Sequence, residues 1–393
     1  MIYHRTLLPK LEKHLKSKEI IVLTGMRRAG KTTILKYLFD KIDSNNKIFL
    51  DIGNPLSRSY FEELDYNNIW ENLKEYGLNK NTKAYIFLDE IQEMPEIVKA
   101  IKYLYDHYDV KFYLTGSSSY YLKNLFPESL AGRKFLFELF PLSFEEFLGF
   151  KEVGKKSYNN LKDIVTNKNK INYEHIKKLY EEYLEWGGFP EVVLESDYEM
   201  KKLKLIDVFK SYFEQDVKGL SDFSDLSKFR NLMILLMQRV GSKLDMSKLA
   251  SEIEVSRPTV YSYISFLEAT YFIYLVPPYS QNIDREVSGA NKVYICDTGI
   301  VNTFGKVSTG SILENSVFLN LKKYGKIHYY EKRKGGEVDF ILDGKQALEV
   351  KSKAIPQYIQ DLSKKAKTLD IRDYYVVSKA FVDDEKVIIA QDI

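Results

Sequence analysis

One short stretch near the start of the chain has the residue types and spacing of a phosphate-binding loop. It matches G-x-x-x-x-G-K-[ST], and its fixed positions are Gly25, Gly30, Lys31 and Thr32. An apolar run precedes the loop and a helical pattern follows it, which is the context that this motif requires. The glycines permit backbone angles that direct N–H groups at a phosphate, and the helix N-terminus adds positive potential. The alternative is a chance glycine turn before a helix.

The side chains of this loop predict how a nucleotide would be held. Lys31 would reach the β- and γ-phosphates, and Thr32 would bind Mg²⁺ through its hydroxyl. Because the whole loop would line the phosphates, the predicted nucleotide-binding set also includes Arg28, Ala29 and Thr33. Arg28 has an equal alternative, which is a pair with an acid on a neighbouring element.

A second pattern ends an apolar strand in two carboxylates. The run Tyr85–Leu88 is followed directly by Asp89 and Glu90. Beside a phosphate-binding loop, Asp89 would hold Mg²⁺ through water, and Glu90 would act as the general base that polarises the attacking water. Strands that end in solvent-facing acids are common, but the loop makes that interpretation the weaker one. The predicted cofactors are therefore ATP and Mg²⁺.

Two further residues complete the predicted catalytic set, which begins with Lys31 and Glu90. Ser117 follows the strand that ends at Thr115, and a small polar residue there would sense the γ-phosphate; Ser118 is second choice, and a helix N-cap is the equal alternative. Arg133 precedes the next strand and is interpreted as an arginine finger or sensor that stabilises charge on the transferred phosphoryl group. Its alternative is a structural salt bridge. The sequence leaves open whether it acts in its own subunit or in a neighbour's.

A third group of charged residues lies in the last quarter of the chain. Asp339 lies on one predicted strand, and Glu349 and Lys351 share a face of the next because side chains alternate along a strand. If the strands pair, Asp339 and Glu349 would hold a divalent metal, with Glu314 from a preceding helix. Lys351 would position the attacking water. The alternative is an ordinary half-exposed strand with alternating charges.

The elements that must position these residues are visible as periodic patterns. Short apolar runs alternate with helical patterns in the first part of the chain, which predicts an α/β fold with a doubly wound parallel sheet. The predicted strands are Glu19–Thr24, Lys47–Ile52, Ala84–Asp89, Lys111–Thr115 and Lys134–Leu139. The pattern is mainly helical from about 151 to 219. The last section predicts a helix over Leu313–Lys323 and strands over Ile327–Glu331, Glu337–Leu342, Gln346–Lys351 and Asp373–Ser378.

A helix-turn-helix pattern lies between these parts. It consists of Ser247–Ile253, a tight turn and Arg257–Ala269, and the β-type segments Tyr271–Val276 and Lys292–Ile295 follow, as in a winged helix. On the second helix the expected core residues are Val260, Ile264 and Leu267. The expected outward residues are Ser256, Arg257, Tyr261, Ser262 and Ser265. Arg257 would bind phosphate or guanine in DNA, and docking to another protein domain is an equal alternative.

Bulk composition bounds the class of protein. The 393 residues are too many for one ordinary core, and 45% hydrophobic with 29% charged residues are typical of a soluble globular protein. A formal net charge of +3 gives no whole-chain argument for nucleic-acid binding. The single cysteine, Cys296, cannot form an internal disulfide, and no apolar run approaches the ~20 residues of a membrane helix. We therefore expect a cytoplasmic protein with no membrane partner.

Taken together, the motifs resemble those of one family. The chain looks like prokaryotic AAA+-type ATPases that carry a C-terminal domain of unknown function and are similar to origin-recognition and STAND ATPases. The matching stretches are Gly25–Thr33, Leu88–Gln92, Leu114–Ser118, Leu130–Arg133, Pro141–Phe147, Gly187–Pro190 and Gly335–Asp339. The resemblance covers nearly the whole chain, and it implies no known substrate.

The resemblance implies a division into four parts. These are an AAA+-type ATPase core over 1–150, a helical lid over 151–222, a winged helix over 223–305 and a nuclease-like domain over 306–393. The last part resembles the PD-(D/E)xK core, in which Asp339, Glu349 and Lys351 match the motif and Glu314 matches the helix acid.

Three functions are compatible with these motifs. The leading hypothesis is an ATPase that couples its nucleotide state to a C-terminal nucleic-acid module. The second is a slow ATP-controlled switch that recruits a protein partner. The third is a metal-dependent nuclease that ATP regulates. The sequence leaves the oligomeric state open.

Overall fold

The computed structural model describes residues 3–116, 132–154, 157–218, 223, 225–280, 289–332 and 336–393. It divides into two compact units. The first consists of Met1–Phe140, Ser211–Leu220 and Ala269–Tyr271. The second consists of Pro141–Lys210, Ser221–Glu268 and Phe272–Ile393.

The first unit is built on a parallel five-stranded sheet. Its strands are β1 (Ile20–Gly25), β2 (Lys47–Asp51), β3 (Ala84–Asp89), β4 (Val110–Gly116) and β5 (Lys134–Leu139). All pairs are parallel, and the order across the sheet is β2-β3-β4-β1-β5. The predicted parallel sheet is confirmed, with each strand boundary within one residue. The strand β4 lies between β1, which leads into the glycine loop, and β3, which ends in the acids.

The three central strands, β1, β3 and β4, are buried on both faces, as in a doubly wound fold. On β1, Ile20 and Val22 belong to one hydrophobic core, and Ile21 and Leu23 belong to the other. Helices cover both faces, and the described ones are α1 (Leu8–Glu12), α2 (Lys31–Lys41), α3 (Pro55–Ser59), α4 (Tyr66–Lys74) and α5 (Ile97–His107). Burial of these alternating apolar side chains is the main stabilising term for the sheet that carries the loop.

One buried lysine in β4 makes the stability of this unit depend on pH. Lys111 is fully buried, and its ammonium group donates to the hydroxyl of Ser17 at 3.2 Å and to the carbonyl of Glu19. Burial lowers the pKa of Lys111 to about 7. Above that pH the folded chain has lost this proton, whereas the unfolded chain keeps it up to about pH 10.4. The free energy of unfolding should therefore rise with pH in this window, by up to about 1.4 kcal/mol per pH unit.

Urea denaturation between pH 7 and pH 9.5 checks this expectation. The substitution Lys111→Met removes the titrating group while keeping an apolar stem, so the variant should show a flatter dependence of unfolding free energy on pH. Equal slopes in the two proteins would contradict the assignment to Lys111.

The second unit begins with helices. In chain order they are α6 (Phe144–Phe150), α7 (Leu161–Thr166), α8 (Lys170–Trp186), α9 (Pro190–Val193), α10 (Tyr198–Ser211), α11 (Leu226–Gln238), α12 (Met246–Glu252) and α13 (Arg257–Ala269). The last residues of α10 and α13 belong to the first unit. An antiparallel pair of strands follows, β6 (Ile273–Val276) with β7 (Lys292–Ile295).

The remainder of the second unit is a mixed sheet with helices. The strands are β8 (Ile327–Glu331), β9 (Glu337–Leu342), β10 (Gln346–Lys351), β11 (Asp373–Ser378) and β12 (Val387–Ile389), in the order β12-β11-β10-β9-β8. The helices are α14 (Thr298–Phe304), α15 (Thr309–Leu321) and α16 (Pro356–Thr368). The strands β9 and β10 pair with each other, as the metal-site prediction required, and their pairing is antiparallel.

The turn at Trp186–Pro190 is glycine-rich because two backbone segments meet there. The N–H of Gly188 donates to Asp297 at 2.6 Å. A Cβ on Gly188 would lie 2.3 Å from the carbonyl oxygen of Leu142, so no larger residue fits. The same aspartate caps α14 by accepting from the N–H of Ile300 at 3.1 Å. This contact stabilises the second unit from within and explains the glycine pair without a catalytic role.

Within the described ranges, no helix combines the length and the apolar character that a membrane crossing needs.

Candidate functional site

The glycine loop connects β1 to α2 and is shaped by close backbone contact. Gly25 has φ +144°, and a Cβ on it would lie 1.9 Å from the carbonyl oxygen of Leu139 at the end of β5. Only glycine fits there. Gly30 precedes the first turn of α2 and has φ 101°. The loop therefore has the strand–loop–helix setting that the motif predicted.

Lys31 is the first residue of α2 and is held inside the loop. Its side chain is almost fully buried, and Nζ donates to the carbonyl oxygens of Gly25 at 3.0 Å and Met26 at 3.2 Å. Burial lowers the pKa of Lys31, and the carboxylates of Glu90 and Asp216 oppose that effect. A phosphate bound in the loop would add a further negative charge beside this buried ammonium and would stabilise its charged form.

Asp89, the last residue of β3, and Glu90, which follows it, are both contacted by Thr115 near the end of the neighbouring strand β4. The Thr115 hydroxyl donates to Asp89 and accepts from the backbone N–H of Glu90, the latter at 3.0 Å. Burial raises the pKa of Asp89, while hydrogen bonds from Thr115 and Thr32 act to lower it. The contact between Thr32 and Asp89 brings together the two residues predicted to hold Mg²⁺, and their hydroxyl and carboxylate oxygens are suitable magnesium ligands.

Glu90 occupies an unusual backbone conformation. Its φ of 55° and ψ of 47° are left-handed, which costs a non-glycine residue about 1 kcal/mol or more. The Gln92 side-chain amide donates to its carboxylate. Such strain is often maintained at functional sites because the surroundings fix it, and here Thr115 and Gln92 hold the backbone and the side chain.

Two residues of this site were missed by the sequence analysis. Thr115 contacts both acids; the signal was a polar residue at the end of an apolar strand. Arg5 is buried and donates to the carbonyl oxygens of Ala29 at 2.9 Å and Phe140 at 2.7 Å, so it ties the loop to the end of β5. A single arginine before a short helix gave no signal.

Three predicted residues have different outcomes. Ser117, like Ser118, lies outside the described residues. Arg28 donates to the Ser211 hydroxyl at 3.3 Å, and its roles in nucleotide binding or in an ion pair stay predictions. Thr33 is exposed on α2, and its role in nucleotide binding stays a prediction.

Arg133 does not lie beside the loop of its own chain. Its carbonyl accepts from the N–H of Ile20, at the start of β1, whereas the loop follows the other end of that strand. The two ends of β1, Ile20 and Gly25, are five residue steps apart, which is roughly 16 Å. Its guanidinium pairs with Asp106 at 3.2 Å. The interpretation as a finger for its own nucleotide is therefore wrong, and action in a neighbouring subunit stays a prediction.

In the second unit, a buried lysine lies among the carboxylates predicted to bind metal. Lys292 on β7 is 3% exposed, lies 3.6 Å from Glu314 and also pairs with Glu337. Tyr294 donates to Glu314 at 2.7 Å. Burial acts to lower the pKa of Lys292, but Glu314 and other acids outweigh it and raise the net value. For the acid Glu314, burial acts in the opposite direction and raises the pKa to about 7.

The other carboxylates of that prediction are also engaged by protein groups. Asp339 accepts from the backbone N–H of Val350 at 2.7 Å. Glu349 pairs with Lys351 at 3.0 Å and with Lys365 at 2.9 Å. In the described parts of the chain, no three His, Cys, Asp or Glu side chains are grouped to hold a metal ion. The charges of the predicted acids nevertheless act on one another, Asp339 on Glu314 and Glu349 on Asp339, with Lys351 beside Glu349; metal binding by this set stays a prediction.

Removing Lys292 should destabilise the second unit strongly. The substitution Lys292→Met leaves Glu314 and Glu337 without their shared cation, and breaking a buried pair in this way costs about 3 kcal/mol. Thermal and urea unfolding measure the loss. The matched control is Lys243→Met, because Lys243 pairs with Glu331 at 2.8 Å on the exposed surface and should contribute less than about 1 kcal/mol. Equal losses in both variants would contradict this account.

Two known protein families match parts of this chain. Residues 17–148 match the family described as an AAA domain, and residues 177–311 match a domain of unknown function, DUF8612. The chain is 30% identical over 370 residues to the uncharacterized protein MJ1544 of Methanocaldococcus jannaschii, covering 91% of this chain and 78% of that protein. An uncharacterized protein of Haemophilus influenzae is 27% identical over 335 residues, covering 82% and 79%.

Solved structures are more distant. The Walker-type ATPase PABY2304 of Pyrococcus abyssi is 17% identical, covers 77% of this chain and 96% of its own, and superposes with a TM-score of 0.49. The ORC1 protein of Aeropyrum pernix, solved with DNA, is 14% identical, covers 77% and 92%, and has a TM-score of 0.33. At these TM-scores neither structure bears on the function of this chain.

Proposed function

We propose that this chain, which belongs to one family with MJ1544 of Methanocaldococcus jannaschii, binds Mg-ATP and hydrolyses it. The proposal agrees with the match of residues 17–148 to the AAA domain. The observation that carries the proposal is the contact network at the ends of β1, β3 and β4. There the Thr115 hydroxyl joins Asp89 to Glu90, and Asp89 in turn contacts Thr32, the residue after Lys31.

Each group in this network has a distinct task in hydrolysis. The loop N–H groups and Lys31 bind the phosphates and stabilise charge as the γ-phosphoryl group leaves. Thr32 and Asp89 would hold Mg²⁺, which neutralises the β- and γ-phosphate oxygens. Glu90 accepts a proton from the attacking water and orients it. Thr115 fixes the two acids relative to each other.

The test is nucleotide binding and turnover by the purified chain. Mant-ATP fluorescence with and without Mg²⁺ measures binding, and phosphate release measures hydrolysis. We expect saturable binding that Mg²⁺ strengthens and measurable phosphate release. A chain that neither binds mant-ATP nor releases phosphate would refute the proposal.

We propose further that α12, α13 and the strands β6 and β7 form a winged helix that contacts DNA. On α13 the expected core residues Val260, Ile264 and Leu267 are buried. The outward set is exposed, and its members are Ser256, Arg257, Tyr261, Ser262 and Ser265. An exposed arginine at the start of such a helix, surrounded by hydroxyl groups, suits phosphate and guanine contacts.

Fluorescence anisotropy with labelled duplex DNA tests this second proposal, in the same tubes in which ATP turnover and DNA integrity are followed. Binding that weakens steeply with salt and that Arg257→Ala reduces would support DNA contact. A DNA affinity that changes neither with salt nor with Arg257→Ala would favour the alternative, in which this surface binds a protein partner. DNA integrity in these tubes tests the nuclease hypothesis: metal-dependent cleavage would support it, and intact DNA would count against it.

A further inference from the structure

A short segment from the middle of the chain belongs to the compact unit that holds the glycine loop. This segment is Ser211–Leu220, and its described part contains the π-helical turn Tyr212–Val217. Turns of this type are rare and are frequent at functional sites. This one places a carboxylate, Asp216, against the loop that the proposed function assigns to nucleotide phosphates.

Asp216 is paired with an arginine of that loop. The Nε atom of Arg27 lies 2.9 Å from Oδ2 of Asp216, and the side chains are 16% and 2% exposed. The charge of Asp216 also acts on Lys31, whose pKa it raises against the effect of burial. The next loop residue, Arg28, contacts Ser211 of the same segment. Both loop arginines therefore contact this segment.

A triphosphate in the loop would compete with Asp216 for the same cations. Two negative groups a few ångströms from Arg27 and Lys31 repel each other strongly in a partly buried site, because screening by water is weak there. The carboxylate and the phosphates thus favour two different arrangements of the arginine. A residue whose contact depends on the presence of phosphate can report the nucleotide state.

We propose that Asp216 is the nucleotide-sensing residue of this ATPase. Arg27 pairs with Asp216 when the loop holds no phosphate, and it transfers to the phosphates when ATP binds, which releases the π-helical turn. This inference rests on the proposed nucleotide site, and it adds a positioning residue far from the sequence motifs.

The chain connections give this release a route to the helix-turn-helix stretch. Ser211–Leu220 and Ala269–Tyr271 both belong to the first unit, and they flank Ser221–Glu268, which carries α12 and all but the last residue of α13. They contact each other, since the hydroxyls of Tyr212 and Thr270 lie 2.6 Å apart and are buried. Tyr271 donates to Glu138 on β5 at 2.8 Å. A change at Asp216 would therefore act on the chain at both ends of Ser221–Glu268.

Mant-ATP binding with Mg²⁺ in four proteins tests the competition. Asp216→Asn removes the competing charge and should tighten binding about tenfold, whereas Arg27→Met should weaken it about tenfold, each corresponding to ~1.4 kcal/mol. In the double variant the gain from Asp216→Asn should fall below about threefold, because no arginine is left to release. The control is Glu214→Gln, an equal charge change on the exposed side of the same turn, which should leave binding within about twofold.

Amide hydrogen exchange provides the second test, because its rates would not respond to nucleotide if Asp216 had only a structural role. ATPγS should speed amide exchange in residues 211–218 and 269–271 of the natural chain, and Asp216→Asn should show the fast rates without nucleotide. Unchanged or weaker binding by Asp216→Asn, or exchange that ignores nucleotide, would overturn the inference alone. If the natural chain does not bind mant-ATP, the proposed function fails as well.

Discussion

Glu90→Gln is expected to reduce ATP turnover by about 10²–10⁴-fold, which is the usual contribution of a general base. The amide is nearly isosteric with the carboxylate but cannot accept the proton of the attacking water. The backbone N–H of Glu90 still reaches Thr115, which it contacts at 3.0 Å, so the geometry around Asp89 is preserved. Mant-ATP affinity should therefore change by less than about threefold while phosphate release collapses.

Glu93→Gln is the matched control, because Glu93 lies in the same short helical turn and is exposed. It should retain full turnover. Turnover by Glu90→Gln at the level of the natural chain would remove Glu90 from the reaction, and an equal loss in both variants would attribute the effect to this turn's stability.

Lys31→Ala is expected to weaken nucleotide binding and to reduce turnover still more. The substitution removes the ammonium that would contact the β- and γ-phosphates, and charge-assisted contacts of this kind contribute about 1.5–3 kcal/mol. Mant-ATP affinity should therefore fall by about 10- to 100-fold. Phosphate release should fall further, since the same charge stabilises the transferring phosphoryl group.

The control for this variant must address stability, because Lys31 also donates to the carbonyl oxygens of Gly25 and Met26. Thermal unfolding of Lys31→Ala, with and without nucleotide, separates an unfolded loop from an intact one that no longer binds. Lys36→Ala removes an exposed lysine from the same helix and should behave like the natural chain. Normal affinity in folded Lys31→Ala would exclude Lys31 from the phosphate site.

Local sequence determined the strands, the loop and the acidic strand end. Strands buried on both faces, such as β1, β3 and β4, are continuous apolar runs, and short apolar or aromatic runs also marked the edge strands β2 and β5, so the pattern placed all five within one residue at each boundary. The loop could be recognised because its glycines, lysine and threonine are consecutive in the chain. A backbone that must approach Leu139 so closely can hold only glycine at Gly25, which makes the motif visible in the letters themselves.

Tertiary structure alone decided the strand order and the contacts between distant side chains. The position of β4 between β1 and β3 brings Thr115 into contact with both acids. Because β5 runs parallel to β1, Arg133 lies at the N-terminal end of these strands, and the loop lies at their C-terminal end. Parallel pairing joins residues far apart in sequence, so no local periodicity encodes it.

The same reason applies to the charged groups. Arg5 reaches the loop, Asp216 pairs with Arg27, and Lys292 lies 3.6 Å from Glu314, an acid that the sequence assigned to a metal site. Local sequence encodes which segments become strands and helices because burial and backbone preference act over a few residues. Which charges meet depends on how those segments pack, and only the folded chain determines that.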